Sequence, residues 1–128
     1  MTRVLVIDDD DAVRWVLQRN LEHAGFEVAT AENGLEGLAS IDDHPPDIVV
    51  LDLMMPVMDG FGVLEALQRN DRTPLIPVVV LTAMAAPDMR ERCERAGARR
   101  VMTKPFEPSA LAAEINDVLA RSANQPIS

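Results

Sequence analysis

Ile48-Val49-Val50-Leu51 is an unbroken aliphatic run that ends on Asp52. Three other stretches have the same form. Arg3 to Ile7 runs into Asp8 and Asp9, Val78 to Leu81 into Thr82, and Val101 to Thr103 into Lys104, the only lysine in the chain. Short runs rich in β-branched residues and bounded by turn residues read as strands buried on both faces, the habit of parallel sheets. If all four lie parallel, their carboxyl ends share one edge, where open α/β sheets bind ligands. Three acids, a hydroxyl and an ammonium then converge there. Such a set suits a divalent cation and a phosphoryl group.

Between these runs the pattern turns helical, and strand and helix alternate five times. Asp10 or Asp11 can cap a first helix with Val13, Val16, Leu17, Leu21 and Ala24 inward, closed by Gly25. Trp15 falls opposite that stripe. Phe26 to Thr30 reads as a short second strand. Asn33 can cap a helix with Leu35, Leu38 and Ile41 inside, ended by His44-Pro45-Pro46. A loop from Met55-Pro56 to Asp59-Gly60 precedes a helix through Val63, Leu64 and Leu67. Pro74 and Pro77 bracket the next connection. Pro87 opens a helix with Met89, Cys93 and Ala96 inward and Gly97 closing it. Pro108 opens the last helix, with Leu111, Ile115, Val118 and Leu119 inside. Such alternation predicts an α/β fold, a parallel sheet with helices on both faces.

Composition sets the bounds. A chain of 128 residues makes one domain with a real core. Its only aromatics are Trp15, Phe26, Phe61 and Phe106, so the core must be aliphatic and rich in methionine. The net charge of −9 disfavours direct binding to nucleic acid or to an anionic membrane. No stretch approaches the length of a transmembrane helix, and no signal segment opens the chain. Cys93 is alone, which rules out an internal disulfide and fits a reducing cytoplasm.

In the doubly wound, flavodoxin-like strand order 2-1-3-4-5, Asp52 sits between the Asp8/Asp9 pair and Thr82. Lys104 lies two strands away from Asp52, on the order of 10 Å, a gap a long side chain can largely bridge. Three clustered carboxylates repel one another unless neutralised. Mg²⁺ with all-oxygen ligands satisfies them, and Lys104 supplies the remaining positive charge.

Ile7-Asp8-Asp9, Leu51-Asp52-Leu53-Met54-Met55-Pro56-Val57-Met58-Asp59-Gly60, Leu81-Thr82-Ala83 and Lys104-Pro105-Phe106 closely resemble the receiver domain of two-component response regulators. The resemblance runs from Thr2 to Arg121, which makes 1–121 the domain and 122–128 a polar tail or the start of a linker. It implies that Asp52 is the phosphoacceptor, attacking a phosphohistidine on a partner histidine kinase or phosphotransfer protein. It also implies Mg²⁺ held by Asp9, Asp52 and the Met54 carbonyl, with Asp8 helping through water. Thr82 and Ala83 would bind the phosphoryl group together with Lys104, and the Lys104-Pro105 bond is usually cis in this family. Such a protein is a signalling phosphoacceptor and not an enzyme with turnover. Its output is a population shift at the Thr82 loop and the helix that follows.

Two positions depart from the family pattern. Val101 replaces the aromatic usual three residues before the lysine, so a signal cannot leave by an aromatic rotamer. Met54 and Met84, two residues past the acceptor and past the threonine, cannot orient attacking water by a strong hydrogen bond. Slow loss of the acyl phosphate is therefore expected. Two rivals fare worse. A flavin carrier needs a phosphate loop after the first strand, where four aspartates stand. An aspartate-nucleophile phosphatase needs an acid where Met54 is. By resemblance the output surface is the fourth helix, fifth strand and fifth helix, for a downstream effector or a homodimer. Arg90, Arg92, Arg95, Arg99 and Arg100 make its start basic. Whether the chain acts alone or with an effector domain is left open by the sequence, as are the kinase and the pathway.

Overall fold

The computed structural model describes residues 1–70, 76–83, 87–104 and 107–123. Five strands alternate with five helices: β1 (Arg3–Ile7), α1 (Asp11–His23), β2 (Glu27–Ala31), α2 (Gly34–Asp43), β3 (Ile48–Asp52), α3 (Gly60–Arg69), β4 (Val78–Thr82), α4 (Pro87–Arg95), β5 (Arg100–Thr103) and α5 (Pro108–Ala123). The strands pair in parallel in the order β2-β1-β3-β4-β5, as the sequence predicts. Pro74, Met84, Pro105 and Phe106 lie outside the described residues.

Strand alternation divides the core. Val4, Val6, Ile48, Val50, Val79 and Leu81 pack with Leu17 and Leu21 of α1 and with Leu111, Ile115 and Val118 of α5. The intervening Leu5, Ile7, Val49, Leu51, Val78, Val80 and Val101 pack with Ile41, Val63, Leu64, Leu67 and Cys93 of α2, α3 and α4. All five residues of β3 and of β4 are buried, which explains their apolar runs.

Asp10, rather than Asp11, caps α1, with its carboxylate accepting from the Ala12 and Val13 N–H groups at 2.9 and 3.2 Å. At the far end Gly25 (φ +99°) donates to the Glu22 carbonyl and Phe26 to the Leu21 carbonyl. This is the paired-bond ending that a left-handed glycine allows, and Gly97 (φ +111°) repeats it after α4. Because Phe26 is still tied to α1, β2 begins at Glu27, one residue later than the pattern suggests.

Three inward assignments fail. Val16 and Leu35 are 40% and 53% exposed, and Ala24 is exposed as well. On α2 the packed face consists of Gly34, Gly37 and Ile41. A Cβ on Gly37 would collide with the Ile7 side chain, so the helix approaches the sheet through its glycines and Leu35 turns outward. On α1 the buried stripe narrows to Leu17 and Leu21, with Val13 half-buried. Trp15 is 61% exposed, opposite that stripe as expected, with Arg19 stacked 4.9 Å from its ring centroid.

Candidate functional site

The register carries three strand ends to one edge. Ile7 pairs with Leu51, and Asp52 with Leu81, so Asp8, Asp52 and Thr82 leave three adjacent strands at nearly one level. Asp8, Asp52 and Thr82 are the buried polar residues among the described ones, while Asp9 is exposed. Carboxylate oxygens of Asp8, Asp9 and Asp52 lie within 4.8 Å of one another.

Lys104 reaches the cluster from β5. Its N–H donates to the Thr82 carbonyl at 2.9 Å, which continues the β4–β5 pairing. Its Nζ lies 3.0 Å from Asp8 Oδ2 and 3.6 Å from Asp52 Oδ1. The side chain does span two strands, but its nearer partner is Asp8. Asp8 is held from several directions: its N–H donates to the Ala31 carbonyl at 3.2 Å, and Oδ1 accepts from the Asp10 N–H at 2.9 Å. Asp52 Oδ1 accepts from the Met54 N–H at 3.3 Å.

Three carboxylates face one ammonium, so two negative charges stay uncancelled. Burial, followed by the charge of Asp8, pushes the Asp52 carboxyl up to about 6, against the opposing pull of Lys104 and the Met54 N–H. Burial also acts against the Lys104 ammonium. The hydrogen bond and charge of Asp8, with those of Asp52, outweigh it and raise its pKa, so Lys104 is charged at neutral pH.

This donor set fits a hard divalent cation. Mg²⁺ takes oxygens at roughly 2.0–2.1 Å, which puts coordinated oxygens about 3–4 Å apart, and the cluster needs only a small contraction or a bridging water. The Met54 side chain is 63% exposed, and Ala83 is exposed beside Thr82. Val101 is buried, paired in register with Val80.

The loop after Asp52 contributes structure that the sequence reading left unassigned. Asp59 caps α3, accepting from the Gly62 N–H at 2.9 Å, and the Gly60 N–H donates to the Leu53 carbonyl at 3.0 Å. Between them the Met58 N–H donates to the Pro56 carbonyl at 2.8 Å, and Val57 sits at φ +71°. That is a γ-turn of the strained, positive-φ kind, centred on a β-branched residue. Val57 is 77% exposed, so no packing holds its side chain there. Val57→Gly should therefore raise stability by about 1 kcal/mol in urea denaturation, even after the added freedom of the unfolded chain.

A five-stranded, doubly wound parallel sheet with three acids and a lysine at its carboxyl edge defines a class that comparison with known proteins makes specific. Residues 4–116 match the family described as the response regulator receiver domain. The chain belongs to that family. It is 39% identical over 126 residues to the DNA-binding dual master transcriptional regulator RpaA of Synechocystis, covering 98% of this chain and 52% of that protein. It is 44% identical over 119 residues to the transcriptional regulatory protein PrrA of Mycobacterium tuberculosis, covering 93% and 50%. The chain thus spans about half the length of these curated relatives. Among solved structures, the Vibrio cholerae chemotaxis protein CheY4 superposes with a TM-score of 0.88 at 32% identity, covering 92% of this chain and 98% of that one. A CheY-like receiver domain from Methanospirillum hungatei superposes at 0.90 and 28% identity, covering 98% and 99%. Among the described residues no helix is long and apolar enough to cross a membrane.

Proposed function

We propose that this receiver domain accepts a phosphoryl group on Asp52 from a phosphohistidine of a partner histidine kinase or phosphotransfer protein, and that Mg²⁺ is required. The observation that carries this reading is the Asp8, Asp9 and Asp52 cluster with Lys104 at its edge. Asp9, Asp52 and the Met54 carbonyl would hold the cation, with Asp8 acting through water. When bound, Mg²⁺ supplies charge neutralisation for the phosphoryl oxygens.

Asp52 is the nucleophile. One of its carboxylate oxygens forms the new P–O bond as the P–N bond to the donor imidazole breaks, and the imidazole takes up a proton as it leaves. Lys104 is poised between Asp8 and Asp52 to pair with an arriving phosphoryl oxygen. Thr82 and the Ala83 backbone flank the acceptor and would bind a second oxygen. Asp52 must be ionised to attack, so its burial sets a lower pH limit that a bound cation relaxes.

The new dianion would then bias the loop at Thr82 and α4. With Val101 packed as an aliphatic core residue, the signal leaves through backbone and α4 position, toward the α4-β5-α5 surface. That surface would serve a downstream effector or a second copy of the chain, and the length of the curated relatives favours an attached effector domain. Its arginines are largely engaged within the molecule. Arg90 donates to the Val101 carbonyl at 3.1 Å, Arg92 stacks 4.0 Å from the Phe61 ring centroid, Arg95 pairs with Glu91, and Arg100 with Glu114 and Asp117. These internal partners leave the basic cluster a weak argument for an acidic partner at this surface.

Intact-mass analysis after incubation with Mg²⁺ and acetyl phosphate tests the reading. A single phosphoryl adduct should form, be abolished by chelator, and be missing from Asp52→Ala. After removal of donor the adduct should persist for minutes or longer, because Met54 offers water no strong hydrogen bond. Decay within seconds would contradict that lifetime.

A further inference from the structure

Arg14 is the basic residue of the first turn of α1, and its side chain is only 15% exposed. A guanidinium held this close under an acidic loop would be expected to neutralise the site carboxylates. It does not. Its Nη1 donates to the main-chain carbonyl of Asp8 at 2.7 Å, and its Nη2 pairs with the Asp11 carboxylate. The carbonyl it grips belongs to the peptide that joins Asp8 to Asp9.

We propose that Arg14 is a positioning residue for the cation pocket, fixing the Asp8–Asp9 peptide so that both carboxylates stay aimed at Asp52. The proposal rests on the reading of that cluster as a Mg²⁺ site. Asp8 is then gripped at four points: N–H by Ala31, carbonyl by Arg14, Oδ1 by the Asp10 N–H and Oδ2 by Lys104. Three of these grips act on Asp8 alone. The Arg14 bond is the one that sets the plane of the peptide entering Asp9, whose exposed side chain has no burial to orient it. Asp11 holds the other end of the fork, so one rigid guanidinium joins both partners. The acid that pairs with its charge is Asp11, which lies outside the cluster, so Arg14 holds the backbone without occupying a site carboxylate.

Partners that orient metal ligands typically change affinity by roughly 10–100-fold when removed. Calorimetric titration of the metal-free protein with Mg²⁺ alone, across four forms, tests the assignment. Arg14→Ala should bind about 10-fold more weakly than the parent, and Arg14→Lys should fall between them, since one ammonium cannot bridge both acceptors. Leu21→Ala, in the same helix but remote from the edge, controls for loss of stability and should bind within about 2-fold of the parent. Equal affinity of Arg14→Ala and the parent, or an equal loss in Leu21→Ala, would overturn the role of Arg14. A parent that binds no Mg²⁺ would instead overturn the reading of the pocket, and with it this proposal.

Discussion

Asp52→Asn should melt on the order of 10 °C above the parent at pH 7.5 in the absence of divalent cations, although it removes a charged partner of Lys104. Folding buries the Asp52 carboxyl beside Asp8 and raises its pKa from 3.8 to about 6. For an acid, a raised folded value means that the folded state binds the proton more tightly than the unfolded one. The stability so gained is fully present below pH 3.8 and is lost as pH rises through about 6. Above that, the ionised form weakens the metal-free fold by about 3 kcal/mol, from 1.36 kcal/mol per pH unit of displacement. Asparagine is neutral and avoids this loss, and Lys104 retains its nearer partner Asp8. Thermal melts at several pH values check it. The gap between variant and parent should narrow at pH 4.5 and again on adding Mg²⁺ at pH 7.5. A variant no more stable than the parent at pH 7.5 would show that the uncancelled charge carries no such cost.

The second large effect concerns Gly60. A Cβ there would stand 2.8 Å from the Leu53 Cα and 2.9 Å from the Asp52 carbonyl oxygen, both backbone atoms that cannot swing aside. Gly60→Ala should cost about 2–3 kcal/mol, as overpacking against a fixed chain does. It should also shift the Leu53–Met54 backbone next to the acceptor, and phosphoryl adduct formation should slow by about tenfold or more. Gly62→Ala is the useful contrast. Its new methyl would stand 2.8 Å from the Met58 Cγ, a side-chain atom and not backbone, and alanine is the better helix former. Urea denaturation and adduct rates for the two variants should therefore separate widely. Equal behaviour would mean that the close approach at Gly60 does not hold the loop.

What the sequence disclosed follows from which interactions are local. Four aliphatic runs ending on Asp8, Asp52, Thr82 and Lys104 announced both the sheet and the edge where chemistry could gather, since strand period and burial are written in side-chain type. The cap at Asn33 and the glycine endings at Gly25 and Gly97 were equally legible, while the first cap was narrowed only to Asp10 or Asp11. Contacts decided by tertiary approach were not. Leu35 reads as a core residue until Gly37 is seen to bring α2 onto Ile7. Arg14 goes unmarked in the sequence, because its partner at the site is a backbone carbonyl and no side-chain pattern signals one. The strained turn at Val57 was hidden too, since valine is a residue that such a turn disfavours. Within the site, the sequence placed Lys104 near Asp52, and only the geometry gives Asp8 as its closer partner.

Borohydride reduction of the phosphorylated protein, followed by peptide mass mapping, identifies the acceptor, because it converts an acyl phosphate to an alcohol at the residue that carried it. A single reduced site at Asp52 is expected, formed only with Mg²⁺ present. Reduction at Asp8 or Asp9 instead, or a phosphoryl group that resists reduction, would contradict it.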